Sequence, residues 1–428
     1  MNRDEKMIVT LTGCSHGLSH GYLLIFPAVL LLLKEEFSMG YLGLGVVGNI
    51  MTFTYGLGAL PGGMIYNRFG PRKLYLFCFL GSAFTCLLIG YSSNFILFTV
   101  GLALLGALGS VYHPLVNSLI TSKVRQFGIA LGIHGAAGNV GIALAPVIAG
   151  LIAAPWGWRQ AYIFFSIPGI ALAIWSTFID LSVKREETNN PGGDAPGLNR
   201  KPGGHRFWIF FSLPLVLIYL LNCLQSFSFV GATTFLPAYM AKYASFKIFS
   251  WDSVAVGGML SGLALLMGVF GQYSGGLLAQ KPHLERNLVI MTTAAFPFIF
   301  LLAFVRNGAL LVMALIFFFF NFALQPMLNV LLALRTTVEM RGTSFGIHFF
   351  ASFGIGSVAA SFSGYIAQKF GLPWVFLGLS GGVLLAAFFS YIFLNLKGHQ
   401  VHSPFEMKEE KGSEIYLAEQ GEKKGGSR

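Results

Sequence analysis

Long apolar runs separated by short polar turns repeat from one end of the chain to the other. Each is near or above the ~20 residues that a helix needs to cross hydrocarbon. The pattern predicts twelve helices, over 7–33, 40–66, 72–92, 95–121, 127–154, 159–181, 207–241, 252–280, 286–305, 308–336, 343–369 and 374–397. The alternation expected of barrel strands is absent, and inside lipid a helix satisfies its own backbone polar groups. The expectation is an all-α membrane protein.

Composition sharpens this. Of 428 residues, 55% are apolar and only 11% charged, against ~25% charged in soluble domains. A cytosolic enzyme, a disulfide scaffold and a disordered chain are excluded. Cys14, Cys78, Cys86 and Cys223 all lie in apolar runs and read as small buried hydrophobes. A net charge of +11 would suggest nucleic acid in a soluble protein. Here it has another cause. An even number of spans puts both termini on one side, and the loops and tails of that side carry 22 Lys and Arg against 6 opposite. The positive-inside bias makes that side cytoplasmic, in the cell (inner) membrane, with the bilayer rather than nucleic acid as the partner. Trp156, Trp158, Trp251 and Trp374 fall at the outer loops, where interfacial aromatics are expected.

The stretch 182–206 is charged, rich in Gly and Pro and without period, so it reads as a cytoplasmic linker. It divides an N-terminal six-helix bundle (1–181) from a C-terminal one (207–397), and 398–428 reads as a solvated cytoplasmic tail. The halves overlay at offsets of 210 to 214 residues. Gly21 and Pro27 fall on Gly231 and Pro237, His113-Pro114 and Asn117 on Gln325-Pro326 and Asn329, and Gly132-Ile133-His134 on Gly346-Ile347-His348. Two bundles of like orientation define a pseudo-two-fold axis along the membrane normal. That geometry puts a substrate site near mid-membrane and lets the halves rock about it.

The segment Gly63-Met-Ile-Tyr-Asn67-Arg68-Phe-Gly70-Pro-Arg72-Lys73 resembles the loop signature G-x-x-x-D-R-x-G-R-R/K of the major facilitator superfamily. The resemblance implies the major facilitator fold and a charge-linked latch at the cytoplasmic helix ends, with Asn67 where the family usually has Asp. In span 5, Gly141-x-x-x-Ala145-Pro146-x-x-Ala149-Gly150 is similar to the antiporter signature G-x-x-x-G-P-x-x-G-G. Tyr112-His113-Pro114 together with Gly135-Ala-Ala-Gly138-Asn139 looks like the fosmidomycin-resistance type of efflux protein.

No Asp or Glu lies at mid-span; instead His16, His20, His113, His134 and His348 fall within spans. Intramembrane ionisable groups usually face a cavity, and histidine titrates nearest physiological pH. His16 and His20, four apart, share a helix face. They fit a cavity or coupling role, hydrogen-bonded packing, or metal ligation. A metal would need further ligands, with only Cys14 near in sequence, so none is expected. His113 could line the cavity or satisfy the carbonyl that Pro114 frees. His134 and His348 are expected to form a gate. Asn117, Gln225, Gln325 and Asn329 complete the expected cavity, with interhelical hydrogen bonding as their alternative role.

No Walker loop or hydrolase set appears, so neither an enzyme nor a cofactor is expected. The expected function is a monomeric secondary transporter that works by alternating access and exports a small organic solute by proton antiport. Proton-coupled uptake of a small organic anion or other metabolite is the alternative.

Overall fold

The computed structural model describes residues 1–58, 60–61, 69–182, 208–245, 251–336 and 338–396. Those residues fold into helices joined by short turns: α1 (Arg3–Ala28), α2 (Leu30–Glu36), α3 (Tyr41–Leu57), α4 (Pro71–Gly90), α5 (Phe95–Gly109), α6 (Tyr112–Lys123), α7 (Phe127–Trp156) and α8 (Trp158–Thr177). After a single 3₁₀ turn (Trp208–Phe211) come α9 (Leu213–Tyr243), α10 (Ser253–Ala279), α11 (Leu284–Leu301), α12 (Asn307–Leu334), α13 (Val338–Phe349), α14 (Val358–Phe370) and α15 (Leu372–Leu394). Among the described residues ten helices are long and apolar enough to cross a membrane, or eleven if α1 and α2 form one bent span. Helix α3 has 17 residues, and the rest of the expected span 40–66 is largely outside the described residues. The linker lies outside them except for Ser182, and the tail lies wholly outside.

Helix breaks follow the backbone chemistry. The chain bends 47° between α1 and α2, just after Pro27. Expected span 4 divides into α5 and α6 at Ser110 and Val111. Pro114 has no N–H for the carbonyl four residues earlier, which belongs to Ser110, so the break falls where that bond is missing. Expected span 11 carries a π-helical segment at Phe350–Ile355 between α13 and α14.

Polar contacts reveal which turns share a face. At one face the Arg159 guanidinium pairs with Glu36 at 2.6 Å and donates to the Ser92 carbonyl, while the Tyr41 amide donates to Gln368. At the other, Lys123 pairs with Asp180 at 3.0 Å, the Arg125 amide donates to Glu5, and Arg335 pairs with Glu285. This second, terminal face also carries the N-terminus. Trp158 differs from the expectation of an interfacial anchor: it is buried, with its indole N–H donated to Glu36 at 2.6 Å. Trp156 and Trp374 are exposed as expected.

Small residues let helices touch. Gly17 on α1 meets Gly141 on α7, where a Cβ at Gly17 would sit 3.2 Å from the Ala137 carbonyl. Among the described residues the most extensive seams between 1–182 and 208–396 are α7 against α10 and α3 against α14, and α1 also packs on α9. A Cβ at Gly150 would lie 3.0 Å from the Val254 carbonyl and 3.5 Å from the Gly258 Cα. Gly45 approaches Gly364 in the same way. Both contacts sit near the face opposite the termini. At the terminal face the polar contacts named above stay within one half.

Candidate transport site

The histidines expected from the sequence come together. Helix α1 presents His16 and His20 one turn apart, with 3.1 Å between their Nε2 atoms. The Pro114 break turns α6 so that the His113 ring meets His16 edge-on at 5.1 Å between centroids and lies 5.6 Å from His20. Ligand nitrogens of His16, His20 and His113 all lie within 4.8 Å of one another. Helix α7 adds His134, stacked on His16 at 4.0 Å and 8°. A residue larger than glycine at Gly138 would collide with the His16 ring, so the glycine-rich stretch of α7 makes room for the imidazole.

Hydrogen bonds fix the ring orientations. The His16 Nδ1–H donates to the His134 carbonyl at 2.8 Å. The His134 Nδ1–H donates to the Thr12 carbonyl at 3.2 Å, and that carbonyl also accepts the Tyr112 hydroxyl at 2.7 Å. A carbonyl can only accept, so both rings carry hydrogen on Nδ1 and direct Nε2 elsewhere. The His134 Nε2 is buried without a hydrogen-bond partner among the described residues. His113 makes no hydrogen bond to a described residue, so it does not cap the carbonyl freed by Pro114. Its ring lies parallel to Phe349 of α13 at 6.0 Å, and Tyr55 meets its edge.

On the C-terminal side, Gln225 donates to the Asn321 side-chain oxygen at 2.9 Å, and Asn222 donates to the His348 carbonyl at 2.8 Å. The Nδ1 of His348 and the Oδ1 of Asn329 are buried without hydrogen-bond partners among the described residues. Asn117 is exposed one turn beyond His113. The expected gate residues His134 and His348 each bond within their own half here. The gap between halves is bridged by Asn139, expected only as part of the efflux-like motif, and by Gln272 and Asn49, which were not singled out from the sequence. Asn139 donates to Gln272 at 2.6 Å, which donates to Gln325 at 2.6 Å. Asn49 donates to Ser361 and accepts from Ser357. A neutral polar residue in the middle of an apolar run was the available signal for Gln272 and Asn49.

The antiporter-like residues lie on α7 where it meets both α1 and α10. Gly141 faces Gly17, Ala145 is buried near Gly21, and Pro146 and Gly150 face Gly258. Of the latch, Gly63, Asn67 and Arg68 lie outside the described residues. Gly70 adopts φ +75° ahead of α4, a conformation that suits glycine. Arg72 donates to the Ile179 carbonyl just beyond α8 at 2.9 Å, and Lys73 is exposed.

The model of the family described as Major Facilitator Superfamily matches residues 10–361. The chain belongs to the major facilitator superfamily. It is therefore a multi-pass membrane transporter of small solutes rather than an enzyme. Among curated relatives it is 22% identical over 388 residues to a probable sulfoacetate transporter of Cupriavidus necator, covering 85% of this chain and 87% of that one. It is 25% identical over 410 residues to a multidrug resistance protein of Rahnella sp., covering 94% and 96%. Among solved structures, a bacterial homolog of the human lysosomal transporter Spinster superposes with a TM-score of 0.79 at 14% identity, covering 94% of this chain and all of that one. A multidrug resistance protein and a probable sulfoacetate transporter thus both occur among the relatives of this superfamily member.

Proposed function

We propose that this transporter exports a small organic solute in exchange for protons, and that His16, His20 and His113 carry the exchange. The observation behind this reading is the convergence of three imidazoles from α1 and α6, in spans without a mid-helix carboxylate, beside the seams between halves. Imidazole is the only side chain there with an ordinary pKa near neutrality. A proton and a solute competing for the same rings would drive antiport. The halves, 1–181 and 207–397, act as two six-helix bundles of twelve spans in all, joined by the linker 182–206. The chain works as a monomer in the inner membrane with both termini and the tail 398–428 in the cytoplasm. His134 and His348 hold α7 and α13 to the neighbouring helices α1 and α9 while the seams open and close. Asn117, Gln225, Gln325 and Asn329 supply neutral contacts to the solute, and the latch and antiporter-like motifs steady the two end states. The efflux proteins among the relatives support this direction.

A second reading is proton-coupled uptake of a small organic anion, favoured by relatives named as probable transporters of sulfoacetate and L-galactonate. The test is flux in proteoliposomes with an imposed pH gradient. Antiport predicts that solute leaves the compartment that protons enter; movement of both in one direction selects uptake. Flux indifferent to the gradient rejects both.

A further inference from the structure

The geometry points to a binding site for a borderline divalent transition-metal ion of the zinc type, held by His16, His20 and His113 with a fourth position left for the solute. Only the source of that fourth ligand depends on the proposed transport function. The Nε2 atoms of His16 and His20 are 3.1 Å apart, joined by a hydrogen bond that His20 donates because the His16 hydrogen sits on Nδ1. With the His20 hydrogen moved to its Nδ1, both lone pairs meet at a separation close to the roughly 3.3 Å between two nitrogens ~2.0–2.1 Å from one tetrahedral ion. His113 completes a three-imidazole set from two helices, all within 4.8 Å. Its ring has no hydrogen bond to a described residue to break, so a small side-chain rotation, closing at most about 1.4 Å, brings it to ligand distance.

His16 is also built as metal-binding histidines are. Its Nδ1–H is held by the His134 carbonyl at 2.8 Å, which fixes the tautomer and aims the Nε2 lone pair at the cluster. Gly138 and the stacked His134 ring set its plane. Imidazole donors without thiolate or carboxylate suit zinc, copper, nickel or cobalt rather than magnesium or calcium. Three neutral ligands leave the ion's charge uncompensated in an apolar setting. An anionic oxygen from the solute would supply that compensation, so the structure favours solutes bearing a carboxylate or phosphonate.

The experiment uses the full-length, tag-free chain in detergent, with the tail residues His399 and His402 replaced by Ala in every sample to remove background. Titration calorimetry should find one saturable Zn²⁺ per chain. His20→Ala or His113→Ala should weaken it about tenfold or more, while Lys281→Ala, at an exposed position, leaves it unchanged. X-ray absorption of the zinc-loaded chain with all three histidines should show imidazole scattering. Oxygen-only coordination, or no saturable binding, overturns the site however the variants fold. With Co²⁺ in place of zinc, adding methylphosphonate should shift the visible spectrum; an unchanged spectrum overturns the open fourth position. Binding is read without flux. Failure of zinc binding beside intact pH-driven flux therefore strikes only this inference, and intact zinc binding beside absent flux strikes only the transport reading.

Discussion

The two halves of the molecule place different chemistry in the same register. At the offsets of the internal repeat, His16, His20 and His113 correspond to Ser226, Val230 and Gln325. The scaffold around them is kept. Thr12 and His134 join α1 to α7, and their counterparts Asn222 and His348 join α9 to α13. One half thus carries three titratable rings, and the other carries neutral groups at the matching positions. In the proposed exchange, coupling needs a charge change in one place, and a second titrating cluster would add desolvation cost without adding direction. The seams differ as well. On α7, Asn139 reaches Gln272 across the gap, whereas its counterpart in the repeat, Phe353, packs on Tyr55 of α3 at 5.2 Å. At this pair of positions one seam is polar and the other aromatic, although the second seam has its own polar contact where Asn49 bonds Ser361 and Ser357.

The strongest way to break this comparison is to exchange the chemistry. His16→Ala should lower pH-driven flux in proteoliposomes about tenfold or more, equivalent to about 1.4 kcal/mol, while Ser226→Ala changes it less than about twofold. Equal losses would mean that the halves share the coupling. Next in size is Gly138→Ser, which installs the residue found at the counterpart Ser352. The added atoms have no room beside His16, so thermal unfolding should show a loss of roughly 1–3 kcal/mol typical of overpacking, with Ser352→Gly milder. The polar seam is sharpened by a double-mutant cycle on Asn139→Ala and Gln272→Ala. A coupling of about 0.6–1.7 kcal/mol is expected, read as the shift in cysteine accessibility at the terminal face; zero coupling would remove the bridge as a latch.

The smallest effect concerns the terminal face of the N-terminal half. Hydrogen bonds from the backbone amides of Arg125 and Asn2 hold the Glu5 carboxyl below its ordinary pKa. A carboxylate whose pKa is depressed by folding stabilises fully above its unfolded pKa, and that contribution is lost as pH falls through the folded value. Melting curves from neutral to acidic pH should therefore show a decline that Glu5→Gln flattens in part. Asp180 is held down in the same sense, by hydrogen bonds from Ser182 first and then by Lys123, so Asp180→Asn should flatten a further part. A decline unchanged in both variants would place the acid sensitivity elsewhere.

Much of the fold was legible because hydrocarbon imposes a coarse rule: helices must be long and apolar, and a proline can break them, although α7, α9 and α12 run unbroken through Pro146, Pro237 and Pro326. The runs from Pro71 onward and the bend after Pro27 came from that rule, as did the pairing of His16 with His20 one turn apart on α1. Local spacing could not reveal that His113 joins them, because this depends on how α6 turns at Ser110. The cross-half partners Gln272 and Asn49 were hidden for the same reason, since amides in apolar runs look alike until a neighbour is present. Trp158 had the composition of an interfacial anchor, but Glu36 came within reach of its indole and drew it inward.

The amino-acid sequence by itself therefore determined the solvent of this protein, its helices and the identity of its titratable groups, since apolar length and residue chemistry are properties of the chain alone. Which imidazoles face one another, which carbonyl holds each ring and which amides close the gap between halves were decided only by tertiary packing. Apart from His16 and His20, those contacts join helices far apart in the chain, and their geometry depends on ångström-scale approaches that glycines such as Gly138 and Gly141 permit.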